Sequence, residues 1–348
     1  MMTRVMLLLA AAAVMLSGCS RSHNATTMAP VMSLAPISKP RPTASASLPP
    51  GPGAGAIGSP ALRVMSFNVR VRTIMDVMNP WRSRRETLVE AIRQFQPDVL
   101  GTQELLDAQA DYLEDALPQY AFVGAGRSNG KRSGGEMCGI FYRSDRFRLV
   151  DSGHFWLSDT PEEPGRKSWG TWFTRMTTWV KLQPLTNGGA SGGAFYVFNT
   201  HFDVGGERAR QESAKLLRER IAVMTSGAPV VITGDFNTTE GTATYQTLLA
   251  GPGGRGPKFT DAYRDVHPVA TRDEATRHGF DGSTRGERID WIIASPGFDP
   301  VEAAIVRHNR DGKYPSDHFP VTAVLRLTPT TLATASADIP QIISSGGM

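Results

Sequence analysis

The sequence predicts an α/β fold in which two packed sheets are flanked by helices. Three observations point there. Strand-like runs outnumber helical ones, several neighbouring runs are close enough in sequence to pair as hairpins, and the helical stretches carry apolar residues on one face. Residues 63–70 alternate and end in Ser66-Phe67-Asn68, the pattern of a core strand. Residues 81–95 place Leu88, Ala91, Ile92 and Phe95 on one helical face, and Gln96-Pro97-Asp98 breaks that helix. Residues 99–103 read as a short buried strand and 107–117 as a second helix. Strand-like runs follow at 139–142, 147–157, 177–182 and 195–202. Residues 207–224 read as a long third helix, with Ala209, Ala214, Leu217 and Ile221 near one face. Runs at 230–233, 289–294, 301–307 and 319–327 complete the folded region, expected to span 61–328. No internal repeat is apparent.

The flanks have a different composition. Arg4 precedes an apolar run from Val5 to Leu16, which is followed by Ser17-Gly18-Cys19. Such a run is too short for a comfortable membrane span and reads as a secretory signal. Leu16-Ser17-Gly18-Cys19 resembles a bacterial lipobox, which implies cleavage before Cys19 and lipidation of its thiol. Residues 1–19 are therefore expected to be a lipoprotein signal peptide. The protein is expected at the cell envelope, anchored on the periplasmic or extracellular face of a bacterial membrane. Residues 20–60 are rich in Pro, Ala, Ser and Gly and read as a disordered tether; 329–348 read as a disordered tail. Cys138 lies in an apolar run and is expected to be a small buried strand residue.

Net charge is +4, but residues 1–60 contain Arg4, Arg21, Lys39 and Arg41 and no acid. With 37 basic and 33 acidic residues in the whole chain, residues 61–348 are formally neutral. Tight nonspecific nucleic-acid binding normally needs a basic face, so this balance argues against it. The chain is expected to act as a monomer.

Apolar runs end in carboxylates, amides and imidazoles at Ser66-Phe67-Asn68, Gly101-Thr102-Gln103-Glu104, Asn199-Thr200-His201-Phe202-Asp203, Thr233-Gly234-Asp235-Phe236-Asn237, Arg288-Ile289-Asp290-Trp291 and Ser316-Asp317-His318-Phe319. Core strands often feed polar loops, so one such motif alone means little. In this order the set resembles the endonuclease/exonuclease/phosphatase superfamily, with Gly-Asp-Phe-Asn and Ser-Asp-His-Phe-Pro the most specific pieces. The resemblance implies a four-layer α/β/β/α sandwich with two packed, mostly antiparallel mixed sheets, and metal-dependent hydrolysis of phosphoesters.

The residues support that chemistry. A phosphoester resists attack because its oxygens are negative and its leaving group is poor, and a hard divalent cation offsets both. Oxygen ligands suit Mg²⁺ or Mn²⁺, and no Cys/His cluster points to structural zinc. Glu104 is the candidate principal ligand, Asp317 a second carboxylate, and Asn68 binds or orients the metal; the resemblance implies the same three positions. Asp235 would orient or activate water, and Asn237 would position phosphate or water. His318 would contact phosphate or shuttle a proton, with Asp290 orienting its imidazole. His201 would hydrogen-bond phosphate or protonate the leaving oxygen.

Tyr142, Glu136 and Arg175 are candidate substrate contacts, with a half-buried strand residue or a paired arginine as the alternative reading. Trp169, Trp172 and Phe280 are candidate walls of a substrate cleft; Trp156 and Trp179 read as core. The substrate stays open among phosphorylated small molecules, lipids and nucleic acids. The alternatives to a general phosphoester hydrolase are an extracytoplasmic DNA/RNA nuclease and a non-catalytic surface lipoprotein that binds a ligand on the same scaffold.

Overall fold

The computed structural model describes residues 61–328, apart from 187, 188 and 191. The expected signal peptide, Cys19, tether and tail lie outside the described residues. In chain order the elements are β1 (Ala61–Asn68), α1 (Trp81–Phe95), β2 (Val99–Leu105), α2 (Asp107–Ala116), β3 (Tyr120–Val123), β4 (Met137–Arg143), β5 (Phe147–Trp156), β6 (Met176–Thr186), β7 (Gly189–Ala190), β8 (Phe195–His201), α3 (Glu207–Thr225), β9 (Val230–Asp235), α4 (Ala243–Ala250), β10 (Thr260–Asp261), α5 (Ala262–Val266), β11 (Asp290–Ala294), β12 (Phe298–Ile305) and β13 (Val321–Leu327).

One sheet has the order β12-β13-β1-β2-β4-β3; the other has β10-β11-β9-β8-β6-β5, with β7 beside β6. Each sheet has a parallel pair at its centre, β1–β2 in one and β8–β9 in the other, and its other pairs are antiparallel. Parallel neighbours need a long crossover. The helices α1 and α3 supply it, so the two sheets are built to one plan.

Three apolar layers hold the sandwich. Leu62, Val64, Val99, Ile140, Val197, Val231, Ile292 and Val321 pack between the sheets. Met65, Phe67 and Leu100 face Leu88, Ile92, Phe95 and Leu113 of α1 and α2. Phe198, Ile232 and Trp291 face Leu217, Ile221 and Leu248 of α3 and α4. The result is the expected α/β/β/α arrangement.

Period-two geometry then explains where the polar residues go. Along the inner face β1 reads Leu62, Val64, Ser66, Asn68; β8 reads Phe195, Val197, Asn199, His201; β9 reads Val231, Thr233, Asp235. Each begins apolar in the shared core and ends polar. The antiparallel β11 begins with Asp290 and then turns apolar, and its Asp290 pairs in register with Asp235, itself opposite His201. One end of the sandwich therefore collects the chemistry.

Below that end the sheets are joined by a buried polar seam. Gln103 Nε2 donates to Asn199 Oδ1 at 2.7 Å, Thr233 Oγ1 donates to the same oxygen at 3.0 Å, and Asn199 Nδ2 donates to the carbonyls of Thr102 and Gly139 at 2.8 and 2.9 Å. Gly101 is required here by close approach: a Cβ would lie 2.1 Å from Thr233 Oγ1.

Candidate active site

Glu104 has φ 59° and sits where the β2–β4 register shifts between Thr102 and Leu105. This bulge breaks the strand's alternation and frees the carboxylate from the sheet. Its Oε1 accepts from Asn68 Nδ2 at 3.1 Å and its Oε2 from the Val71 amide at 3.0 Å. Asn68 also donates to Asp235 Oδ2 at 3.0 Å, while its Oδ1 accepts the Arg70 amide. The side chain thus orients two carboxylates. Asp317 is brought alongside by Ser316, whose hydroxyl donates to the Asn68 carbonyl at 2.6 Å. Arg70 Nη1 lies 4.0 Å from Glu104 Oε2 and 3.6 Å from Asp317 Oδ2. The other edge of that guanidinium grips Asp76 at 3.0 and 2.9 Å.

Beside this set lies a chain of acid–base groups. His318 Nδ1 is 2.9 Å from Asp290 Oδ2, and its Nε2 is 3.8 Å from Asp235 Oδ2. His201 Nε2 is 3.4 Å from the same Asp235 oxygen and 2.9 Å from Asn237 Nδ2. Asn237 donates in addition to the Phe202 carbonyl at 3.1 Å.

Burial works against charge on Glu104, yet the Val71 amide, the charge of His318 and the Asn68 amide hold its carboxyl below the usual carboxylate range. Burial and the neighbouring Asp290 push the Asp235 carboxyl up, against the pull of His318. Burial also disfavours charge on His318, but Asp290, Asp235 and Asp317 raise its imidazole above the ordinary value. His201 goes the other way: burial, Arg175, Arg127 and His318 push its imidazole well below the ordinary value.

The donor set fits a hard divalent ion. Glu104 and Asp317 are oxygen donors that converge on one cationic nitrogen, the arrangement Mg²⁺ or Mn²⁺ prefers. Asp235, Asp290 and His318 also bring ligand atoms within 4.8 Å of one another. There the imidazole Nδ1 is already engaged by Asp290, so this trio suits proton handling.

Arg70, Glu104, Arg127, Glu136, Phe173, Arg175, His201, Val204, Asp235, Asn237, Arg277, Asp317 and His318 line one cleft of about 440 Å³. All the expected metal and catalytic residues except Asn68 and Asp290 line it directly, and those two bond to residues that do. Of the expected substrate contacts, Arg175 and Glu136 line it, with Glu136 bound to Arg127 at 2.6 and 2.8 Å. Trp172 stands exposed beside it, with its indole over Gly205.

Three expectations are corrected. Tyr142 pairs with Val99 and packs in the core between the sheets, at the end away from the site. The reason is direction: β4 runs antiparallel to β2, so its C-terminal end is remote and its N-terminal end, at Glu136 and Met137, reaches the cleft. Trp169 packs against the outer core, donates to Asp159 Oδ1 at 2.6 Å and does not line the cleft. Phe280 lies over Arg84 instead of the cleft. Sequence reasoning missed Arg70, Phe173, Val204 and Arg277. Only Arg70 carried a signal, its position two residues after Asn68.

The chain is 26% identical to human Nocturnin over 200 residues, 51% of this chain and 43% of that protein. It spans about half the length of the human, rat and mouse Nocturnins. Among solved structures it is similar to an endonuclease/exonuclease/phosphatase from Bacteroides vulgatus (32% identity, TM-score 0.70, covering 77% of this chain and 100% of that one). It is also similar to a mannosyl-6-phosphatase from Bacteroides thetaiotaomicron (32% identity, TM-score 0.66, covering 76% and 99%). The model of the Endonuclease/Exonuclease/phosphatase family matches residues 65–318. With its two mixed sheets and its cleft at the strand ends, the chain belongs to that family.

Proposed function

We propose that the protein is a divalent-metal-dependent hydrolase of phosphoester bonds, acting on a small phosphorylated molecule outside the cytoplasm. One observation carries this reading: the Glu104/Asp317 oxygen pair and the Asp290–His318 pair meet in one cleft around Asp235. A bound Mg²⁺ or Mn²⁺ held by Glu104 and Asp317 supplies positive charge against the phosphate. Asp235, held by Asn68, is placed to orient and deprotonate a water. Charged His318, steadied by Asp290, donates to a phosphate oxygen. His201, whose Nε2 accepts from the Asn237 amide, fixes that amide beside the phosphate. The likeness to a mannosyl-6-phosphatase supports a sugar phosphate among the substrates. The formal neutrality of residues 61–348 disfavours the nuclease reading.

The test is a panel of sugar phosphates, inositol phosphates, sphingomyelin, plasmid DNA and RNA, assayed with Mg²⁺, Mn²⁺ or EDTA. Metal-dependent release of phosphate from a small ester is expected. Cleavage of nucleic acid alone would select the nuclease. Metal binding without hydrolysis of any ester would leave a binding lipoprotein. Anchoring through Cys19 is tested separately: radiolabelled palmitate should enter the wild type and not Cys19→Ser. Among the described residues no helix is long and apolar enough to cross a membrane.

A further inference from the structure

Arg175 is 4% exposed, and its Nε is buried without a hydrogen-bond partner among the described residues. Asp203 Oδ1 lies 3.9 Å from that nitrogen, but it already accepts the amides of Trp172 and Phe173 at 3.1 and 3.3 Å. The neighbouring Arg127 is spent on Glu136. The Phe173 ring separates the two arginines, 5.2 Å from the Arg127 guanidinium and 5.5 Å from that of Arg175. Among the described residues Arg175 therefore brings to the cleft a cation whose one ion-pair partner, Asp203, stands too far off for a hydrogen bond. Burying a guanidinium with its Nε unbonded is costly, and the ion pair with Asp203 is too long to offset it fully. Its fork of N–H donors is shaped for phosphate oxygens.

The other groups in the cleft limit which oxygens remain. Glu104 and Asp317 would hold a divalent ion, which would supply positive charge at one non-bridging oxygen of a bound phosphate, and the His318, Asn237 and His201 side of the cleft is placed for another. A diester has only these two. A monoester has a third, and a second negative charge with it.

We propose that Arg175 is a specificity-determining residue that binds this third oxygen and makes the site prefer phosphate monoesters to diesters. The inference rests on the hydrolase reading above. In hydrolysis the P–O bond to water forms, the P–O bond to the leaving group breaks, and a proton passes to the departing oxygen. Arg175 holds the phosphate throughout and takes no part in proton transfer, because its guanidinium stays charged.

The test uses the full-length protein with Mg²⁺, and compares wild type, Arg175→Met and Arg175→Lys on p-nitrophenyl phosphate and bis-p-nitrophenyl phosphate. Relative to wild type, Arg175→Met should lose about a hundredfold in kcat/KM on the monoester and less than about tenfold on the diester. Arg175→Lys, which keeps the charge without the fork, should fall between, and it decides the matter if the Met variant does not fold. Binding of inorganic phosphate, measured by calorimetry, should weaken at least about tenfold in Arg175→Met. Equal losses on both esters, or unchanged phosphate binding, would overturn the assignment. A wild type that hydrolyses neither these esters nor any member of the panel above defeats the hydrolase reading. Loss of phosphate binding in the variant would then still uphold Arg175 as the dianion site.

Discussion

The Asp290 carboxylate meets His318 Nδ1 through Oδ2 at 2.9 Å, while its Oδ1 is buried with no hydrogen-bond partner among the described residues. One oxygen of this buried acid is thus committed to fixing an imidazole and its charge. In Asp290→Asn the shape is kept and the charge is lost. Activity should fall by about two to four powers of ten. The His318 imidazole pKa, followed by NMR through its ring protons, should move down. An unmoved pKa would show that Asp290 does not govern the imidazole.

Glu104→Gln and Asp317→Asn each remove one charged oxygen donor that faces Arg70. Mn²⁺ affinity, read by electron paramagnetic resonance, should drop by about 10–100-fold in either variant, with the fold intact by circular dichroism. Equal Mn²⁺ affinity in wild type and both variants would place the ion elsewhere.

Gly101→Ala would put a methyl group 2.1 Å from Thr233 Oγ1 and 2.8 Å from Asn199 Oδ1. Both atoms belong to the seam between the sheets, so neither can retreat freely. Urea denaturation should show a loss of about 1–3 kcal/mol. Adding Thr233→Ala removes the nearest atom, and the double variant should lose less than the sum of the two single losses.

His278 stacks on Phe319 at 3.9 Å, and burial, with the charge of His318, lowers its pKa from 6.5 to about 4. As the pH falls, the unfolded chain takes up this proton first. The resulting stability is complete above pH 6.5 and drains away as the pH falls towards 4. Subtracting the curve for His278→Gln from that of wild type should leave a component of about 2 kcal/mol confined to that window, allowing for solvent screening. A flat difference would mean that His278 titrates normally.

The helix of residues 81–95 was readable because Leu88, Ala91, Ile92 and Phe95 share a face, and Pro97 follows close behind. The site motifs were readable because each breaks an apolar alternation at a strand end. Tyr142 was misplaced because alternation tells which face a residue takes but not which way its strand runs. Both α4 and β3 escaped notice for lack of length; α4 is announced by little more than its cap, Thr242, which accepts from the Tyr245 amide. Arg70 is set by a left-handed backbone turn and by Asp76, relationships that no periodicity encodes.

The two sheets follow one plan, and the first strand of one parallel pair faces the second strand of the other: β1 delivers Asn68 opposite Asp235 of β9, and the two side chains bond at 3.0 Å. Catalysis is then a property of alignment between two half-molecules. A slip of about 1 Å between them would spoil the geometry of reaction while leaving every helix and ladder in place. On gentle heating or in mild urea, turnover should fail before the far-ultraviolet signal changes, which makes activity a finer gauge of the seam than any measure of secondary structure.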